Sequence, residues 1–237
     1  MSDQQHYVGP RALCVVGREY KRKERQEGEG THAQGTLKAK SVSAPPMKKA
    51  NMARMKGVSP EALALDLMLE NDGKAMLYFP FLNYAQNSLD PSHAMLSSPA
   101  TIPGLSDGGA HVGMICDGSF PTSMLTHWTR DRTRGPRLSL AEAVKMQTAD
   151  TAAWMGLHDR GQLLPGLRAD LNVIDFDNLT LRSPRLSHDQ PAGGRRLLQD
   201  AEGYAYTIVS GEVTRQDGKD TGARPGRLVR GPQPSAA

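Results

Sequence analysis

A short apolar run at residues 100–105 ends in a glycine-rich turn that carries Asp107, and no other segment narrows the choice of folds as much. The run is typical of a β-strand, and Gly108 and Gly109 allow backbone conformations that a side chain forbids. In α/β barrels the C-terminal strand ends form the catalytic face, where a carboxylate can ligate a metal or take a proton from water. An ordinary Asp-Gly turn is the alternative, and the segment alone leaves both open.

The residues before this turn alternate between helix and strand signals. Ser59 and Pro60 predict a helix start, and apolar residues then recur at helical spacing as far as Gly73. Residues 75–79 predict a buried strand, and residues 91–96 predict a second helix before the run at 100–105. This order of elements is typical of the last repeats of an α/β barrel.

Three polar residues near these predicted strands are candidate pocket residues. Asn83 and Tyr84 follow the strand at 75–79, where polar groups can face a substrate; a turn asparagine and a surface tyrosine are the alternative. His111 follows the Asp107 turn and could line the same pocket or bond to a backbone carbonyl. These three side chains are therefore predicted to bind substrate.

The C-terminal part of the chain changes from helix to strand signals. Ser139 and Glu142 have the spacing of a capping box, which predicts a helix start. From His158 onward strands and turns dominate, and the Ser210-Gly211 pair predicts a hairpin turn. These signals predict a separate β-rich domain at residues 158–237.

The first 56 residues differ in charge from the rest of the chain. They contain 12 Lys and Arg against 5 Asp and Glu, whereas the remainder contains 17 against 20. Without a sustained apolar period, this segment is predicted to be disordered. Its interleaved glutamates and lack of aromatic stacking residues argue against nucleic acid as a partner. It also lacks the apolar run of a signal peptide or membrane helix, so no membrane partner and a cytoplasmic location are expected.

Several motifs in order along residues 57–231 resemble the C-terminal part of N-acyl-D-amino-acid deacylases, which are amidohydrolases related to D-aminoacylase. The motifs are SDGGAH at 106–111, CDGSFPT at 116–122, LTHWTRDR at 125–132, DRGQLLPGLRADL at 159–171 and GARPGR at 222–227. The resemblance implies an α/β fold: the C-terminal part of a TIM barrel at 57–157 and an incomplete β-sandwich at 158–237. It suggests no counterpart for residues 1–56, which a misplaced start or an upstream frame change would explain.

The resemblance also implies a zinc site, of which this chain carries only one ligand, Asp107. The family's other ligands include a His-x-His pair, and the seven histidines of this chain form no such pair. A hydrolytic zinc normally needs three protein ligands and one open position for water. The sequence therefore predicts an incomplete metal site and a missing N-terminal enzyme portion as a partner.

The implied activity is hydrolysis of the amide bond of N-acyl-D-amino acids or related N-acyl or cyclic amides. Asp107 would act as the catalytic proton carrier, and the small-molecule substrate would be an N-acyl amino acid. Asp170 is a second carboxylate in the matched motifs, but its place in the β-rich domain favours a structural role. A catalytically inactive fragment and a noncatalytic binding protein remain as alternatives.

Overall fold

The computed structural model describes the backbone of residues 12–16 and 46–50, and the full structure of residues 51–73, 75–77, 88–104 and 111–234. The described residues fall into two compact units. The smaller unit lies within Gly30–Met95, and the larger unit lies within Met1–Glu29 and Leu96–Ala237. In the described part of the chain, no helix is both long enough and apolar enough to cross a membrane.

The smaller unit contains two consecutive helices, α1 at Pro46–Lys56 and α2 at Pro60–Gly73. As predicted, Ser59 caps α2, because its hydroxyl accepts a hydrogen bond from the amide of Ala62 at 3.2 Å. Regular helical geometry ends before Glu70, since the two residues after it adopt positive φ. Helix α3 follows at Asp90–Leu96, close to the predicted bounds.

Helices α1 and α2 pack through a small apolar cluster. Ala53 from α1 and Leu63 and Leu67 from α2 are buried, with Met52 and Leu77 packed against them. The strand predicted at residues 75–79 is not found at residues 75–77, which have no regular secondary structure, and its other residues lie outside the described ranges. The strand predicted at 100–105 likewise lacks regular structure at residues 101–104. A barrel in this part of the chain therefore stays a prediction.

The larger unit begins its helical part after residue 111. Its helical segments are α4 at Phe120–Thr126, a π-helical turn at His127–Asp131, α5 at Leu140–Lys145, a second π-helical turn at Met146–Asp150, and α6 at Thr151–Trp154. The predicted capping box is confirmed at α5. The Ser139 hydroxyl accepts from the Glu142 amide at 3.1 Å, and the Glu142 carboxylate accepts from the Ser139 amide at 2.8 Å.

A Ser139→Ala substitution should lower the free energy of unfolding by about 1 kcal/mol, because it leaves the Glu142 amide without its cap. The matched control is Ser119→Ala, since Ser119 occupies the N-cap of α4 but makes no side-chain cap bond. Urea unfolding of both variants and the parent chain measures the difference. Equal losses in the two variants would contradict a stabilising cap at Ser139.

The described strands of the larger unit are β1 Ala12–Val16, β2 Leu171–Asp175, β3 Thr180–Leu181, β4 Arg185–Ser187, β5 Arg196–Leu198, β6 Ala201–Glu202, β7 Tyr204–Val209, β8 Glu212–Gln216 and β9 Lys219–Asp220. Within the described residues, five of them form a sheet of order β1-β2-β7-β8-β9, and two short ribbons pair β3 with β6 and β4 with β5. Among these strand pairs, β1–β2 is parallel and the others are antiparallel.

Strand β1 and helix α1 lie within residues 1–56, the segment that the sequence analysis predicted to be disordered. Ala12 pairs with Leu171 and Val16 pairs with Asp175, so β1 supplies an N-terminal strand that the sequence analysis did not assign to the β-rich domain. The physical reason is local composition: the β1 segment, ALCVV, is apolar and partly β-branched within a charged region. Averaging charge over 56 residues conceals such a short run.

The hairpin β7–β8 confirms the predicted turn. Ser210 has φ +53 and Gly211 has φ +83, as a two-residue turn with two positive φ values requires. At the other end of β7, the Tyr204 hydroxyl forms a hydrogen bond with the Thr122 hydroxyl of α4 at 2.7 Å. This bond joins the central sheet to the helical layer.

The core of the larger unit lies between its helices and the β2–β3 region. The fully buried residues at its centre are Ala143, Ile174 and Leu179, with Met124, Leu125 and Leu138 around them. Arg130 also links the helices to the segment between β2 and β3, because its guanidinium donates to the carbonyls of Phe176 at 2.5 Å and Leu179 at 2.8 Å. The π-helical turn is thereby fixed to the chain that follows β2.

Candidate functional site

The predicted catalytic residue and two of the three predicted pocket residues lie outside the described residues. These are Asp107, Asn83 and Tyr84, so their roles stay predictions. His111 is described: it is exposed, has φ +55, and its carbonyl accepts from the amides of Met114 at 2.8 Å and Ile115 at 2.9 Å. Its backbone therefore forms a tight turn directly after the Asp107 segment, while substrate binding by its side chain stays a prediction.

The segment after His111 is fixed to the β-rich part of the larger unit. The amide of Leu197 in β5 donates to the carbonyl of Val112 at 2.6 Å, and the amide of Phe120 donates to the carbonyl of Asp117 at 3.0 Å. The second bond makes the residue 117 region the turn that leads into α4. The C-terminal flank of the Asp107 segment is thus anchored to β5 through Val112.

Cys116 lies in this anchored segment with a half-buried thiol. Burial raises its pKa first, and the negative charges of Asp117 and Asp200 raise it further. The nucleophilic form of cysteine is the thiolate, which a raised pKa disfavours at neutral pH. The structure therefore favours a packing role for Cys116 over a nucleophilic one.

His127 is a half-buried histidine that the sequence analysis did not select as a site residue. It begins the first π-helical turn and packs edge-on against Trp128, with ring centroids 5.2 Å apart. Burial, together with the positive charge of Arg132, lowers the pKa of His127, so the ring is neutral at pH 7. Its Nε2 atom has no hydrogen-bond partner among the described residues. The signal that could have marked it is the HWTRD segment, yet π-helical turns have no sequence period that predicts them.

Asp170 is held in a buried network of ion pairs. Its carboxylate accepts from Arg160 Nη1 at 3.1 Å, Arg168 Nε at 3.3 Å and the amide of Ser210 at 2.8 Å. Arg160 is in turn bound by Asp159 at 2.8 and 2.9 Å, and this pairing lowers the pKa of Asp159. Asp170 is only 3% exposed, so it joins the loop before β2 to the β7–β8 turn instead of facing a substrate. The predicted structural role fits this geometry.

Metal-ligand geometry is not assembled within the described ranges. Among these residues, no group of three or more His, Cys, Asp and Glu side chains is placed so that it could hold a metal ion. The described residues therefore do not fit the zinc site that the motif resemblance implies, and no ligand set can be taken from them.

The chain matches a known protein family over most of its length. A sequence profile described as the amidohydrolase family matches residues 4–215. The match begins well before Gly57, where the motif resemblance was predicted to start, and it includes β1. Residues before Gly57 are thus part of the family match, which corrects the interpretation that they have no counterpart.

The chain is also similar to curated proteins named 5-methylthioadenosine/S-adenosylhomocysteine deaminase. The protein from Desulfitobacterium hafniense is 36% identical over 90 residues, which cover 34% of this chain and 21% of the relative. The protein from Pelotomaculum thermopropionicum is 32% identical over 134 residues, covering 52% and 30%. The protein from Nitratidesulfovibrio vulgaris is 31% identical over 143 residues, covering 54% and 30%. The matches span about a fifth to a third of these relatives, and no solved structure matches the chain significantly.

Proposed function

The chain belongs to the amidohydrolase family, and on that premise we propose that it provides the C-terminal part of a metal-dependent hydrolase that cleaves a carbon–nitrogen bond. The observation that supports this proposal most strongly is the profile match over residues 4–215, which contains the SDGGAH motif around Asp107. The TIM barrel of the complete enzyme is part of the proposal. The described mixture of helices and sheet is compatible with it.

Asp107 is the proposed catalytic residue. A carboxylate at the end of a barrel strand can take a proton from the attacking water and pass it to the leaving amine. The turn at His111 and the bond between Leu197 and Val112 hold the chain just after this carboxylate. Such anchoring supports the role, because proton transfer requires a fixed distance to the reacting atoms.

The metal of the complete enzyme is proposed to be zinc. It would polarise the substrate at the carbon that water attacks, and it would lower the pKa of the water bound to the metal. Asp107 is the ligand that this chain would contribute. Because the described residues form no ligand cluster and the sequence has no His-x-His pair, we propose that the remaining ligands belong to a separate N-terminal enzyme portion.

Two substrate classes follow from different observations. The motifs at 106–132, 159–171 and 222–227 support the amide bond of an N-acyl-D-amino acid or a related N-acyl or cyclic amide. The deaminase names of the relatives support a second candidate, hydrolytic removal of an amino group from a purine nucleoside. Both reactions add water across a carbon–nitrogen bond and require the same proton transfer by Asp107.

The 237-residue chain alone is expected to hydrolyse N-acyl-D-amino acids and 5-methylthioadenosine at no more than trace rates, even with zinc added. The reason is ligand count, since a hydrolytic zinc normally needs three protein ligands. Release of free amino acid measures the first reaction, and release of ammonia measures the second. Metal content after dialysis should be below one zinc per chain.

The family role is tested by extending the chain with contiguous upstream coding sequence that supplies a His-x-His pair. Hydrolysis of one substrate class is then expected, and Asp107→Asn should abolish it, whereas Asp117→Asn in the neighbouring turn should not. An extended enzyme that keeps its rate with Asp107→Asn would contradict the catalytic role. Zinc-dependent turnover by the 237-residue chain itself would contradict the proposal that zinc ligands are missing from it, and would favour a complete site within this chain.

A further inference from the structure

An open pocket of about 420 Å³ lies between the β7–β8 turn and the C-terminal tail of the larger unit. Ser210 and Glu212 of the hairpin form one side, and the tail segment 224–227 forms the other. Arg168, from the loop before β2, completes the lining. Three separate segments of the chain therefore meet at this pocket.

Three of the lining side chains are arginines: Arg168, Arg224 and Arg227. Guanidinium groups carry several N–H donors in a fixed plane and bind carboxylate and phosphate groups with two parallel hydrogen bonds. Arginines from separate segments on one concave surface give such an anion donors from more than one direction.

Two of the three guanidinium groups are held in place by neighbouring carboxylates. Arg168 donates through Nε to Asp170 at 3.3 Å and through Nη2 to the hydroxyl of Ser210. Arg224 donates to both carboxylate oxygens of Asp220 at 2.9 and 2.8 Å, and this contact lowers the pKa of Asp220 to about 2. Because Asp220 stays ionised over the ordinary pH range, Arg224 stays oriented. Less conformational entropy is lost when a pre-oriented donor binds a ligand.

Arg227 is the arginine whose charge is not balanced by a contact in the described part of the chain, where it makes no hydrogen bond or ion pair. Asp170 and Asp220 already offset Arg168 and Arg224, so Arg227 supplies the guanidinium that no described carboxylate contacts and that a ligand can bind. Glu212 lines the same pocket and opposes an anion. Arg227 and Glu212 are therefore the two lining side chains that are expected to have opposite effects on a bound anion.

We propose that this pocket binds a small molecule through its oxyanion group, a carboxylate or a phosphate, which Arg227 contacts together with Arg168 and Arg224. The bound anion connects the hairpin turn to the tail. The tail is already attached further along, where the amide of Gln233 donates to the carbonyl of Gly156 at 2.8 Å. Ligand binding therefore holds the tail at a second point, and it does not depend on the proposed hydrolase activity.

The test titrates the 237-residue chain with inorganic phosphate and, separately, with succinate, at constant ionic strength set by sodium chloride. Saturable binding by calorimetry and a rise in Tm are expected with at least one of the two. Binding of phosphate alone assigns the site to a phosphoryl group, and binding of succinate alone assigns it to a carboxylate. Either result supports the proposal, whereas no saturable binding of either anion overturns it.

Two variants with opposite expected effects separate this site from general surface charge. Arg227→Gln should weaken binding by about three- to tenfold, and Glu212→Gln should strengthen it by about two- to fivefold. Arg230→Gln is the matched control, because Arg230 lies on the same tail but does not line the pocket. Equal weakening by Arg227→Gln and Arg230→Gln, or weaker binding in Glu212→Gln, overturns the proposal.

Discussion

A Gly203→Ala substitution is expected to lower the free energy of unfolding by about 3–5 kcal/mol, since it combines backbone strain with overpacking against main-chain atoms. Gly203 has φ +101, and an added Cβ would lie 2.7 Å from Leu179 Cα, 2.9 Å from Leu179 N and 3.1 Å from the carbonyl oxygen of Asp175. Leu179 is fully buried, and the Gly203 carbonyl accepts from the Asp175 amide at 2.8 Å. Relief of the clash would therefore move β2, the core residue Leu179 or both.

The matched control is Gly211→Ala in the β7–β8 turn. Gly211 also has positive φ, at +83, but an added Cβ would meet no atom within 4 Å. Its expected cost is the strain alone, about 1–2 kcal/mol. Urea unfolding followed by circular dichroism measures both variants. If the two losses are the same, the close approach of Gly203 to Leu179 does not contribute to stability.

An Asp170→Ala substitution is expected to cost about 3–5 kcal/mol, because it removes the shared carboxylate of a buried ion network. Arg168 loses its carboxylate partner, and Arg160 keeps only Asp159. Asp170 is 3% exposed and Arg160 is 9% exposed, so water cannot replace the lost carboxylate easily. The amide of Ser210 also loses its acceptor, which releases the β7–β8 turn from the loop before β2. Asp170→Asn keeps an acceptor for this amide and should cost less.

The control for the buried network is Glu202→Ala, which breaks an exposed ion pair of good geometry. Glu202 accepts from Arg182 at 2.7 and 2.5 Å, but both side chains are more than half exposed. Solvent screening limits its expected cost to about 0–1 kcal/mol. Denaturant unfolding gives the comparison, and an Asp170→Ala variant as stable as Glu202→Ala would show that Asp170 is not part of the structural core.

Short-range features of the fold were predictable from the sequence. The N-caps at Ser59 and Ser139, the helix at residues 91–96 and the hairpin turn at 210–211 all depend on residues within a few positions of one another. In each case one side chain or one backbone conformation satisfies nearby backbone groups, so the local sequence is enough to predict the local structure. The structural role of Asp170 was also predicted, though from its motif and not from its contacts.

The sequence predicted candidate site residues but not how they are arranged in space. The sequence alone identified Asp107 from its glycine-rich turn, and Asn83, Tyr84 and His111 from their position after predicted strands. Of these four, the structure describes His111. No sequence periodicity predicts its φ of +55 or its exposed position. Whether side chains from different strands converge depends on how those strands pack, which a one-dimensional pattern does not encode.

The sequence by itself determined local starts, turns and the family-like motifs, because those depend on neighbouring residues. Only the tertiary structure decided that β1 at Ala12–Val16 pairs with β2 at Leu171–Asp175, since that pairing joins segments more than 150 residues apart and outweighs the charged composition around β1. It also decided that Arg168, Arg224 and Arg227 share one pocket and that Gly203 must lack a side chain. These results depend on burial, distance and charge among residues that meet only after the chain has folded.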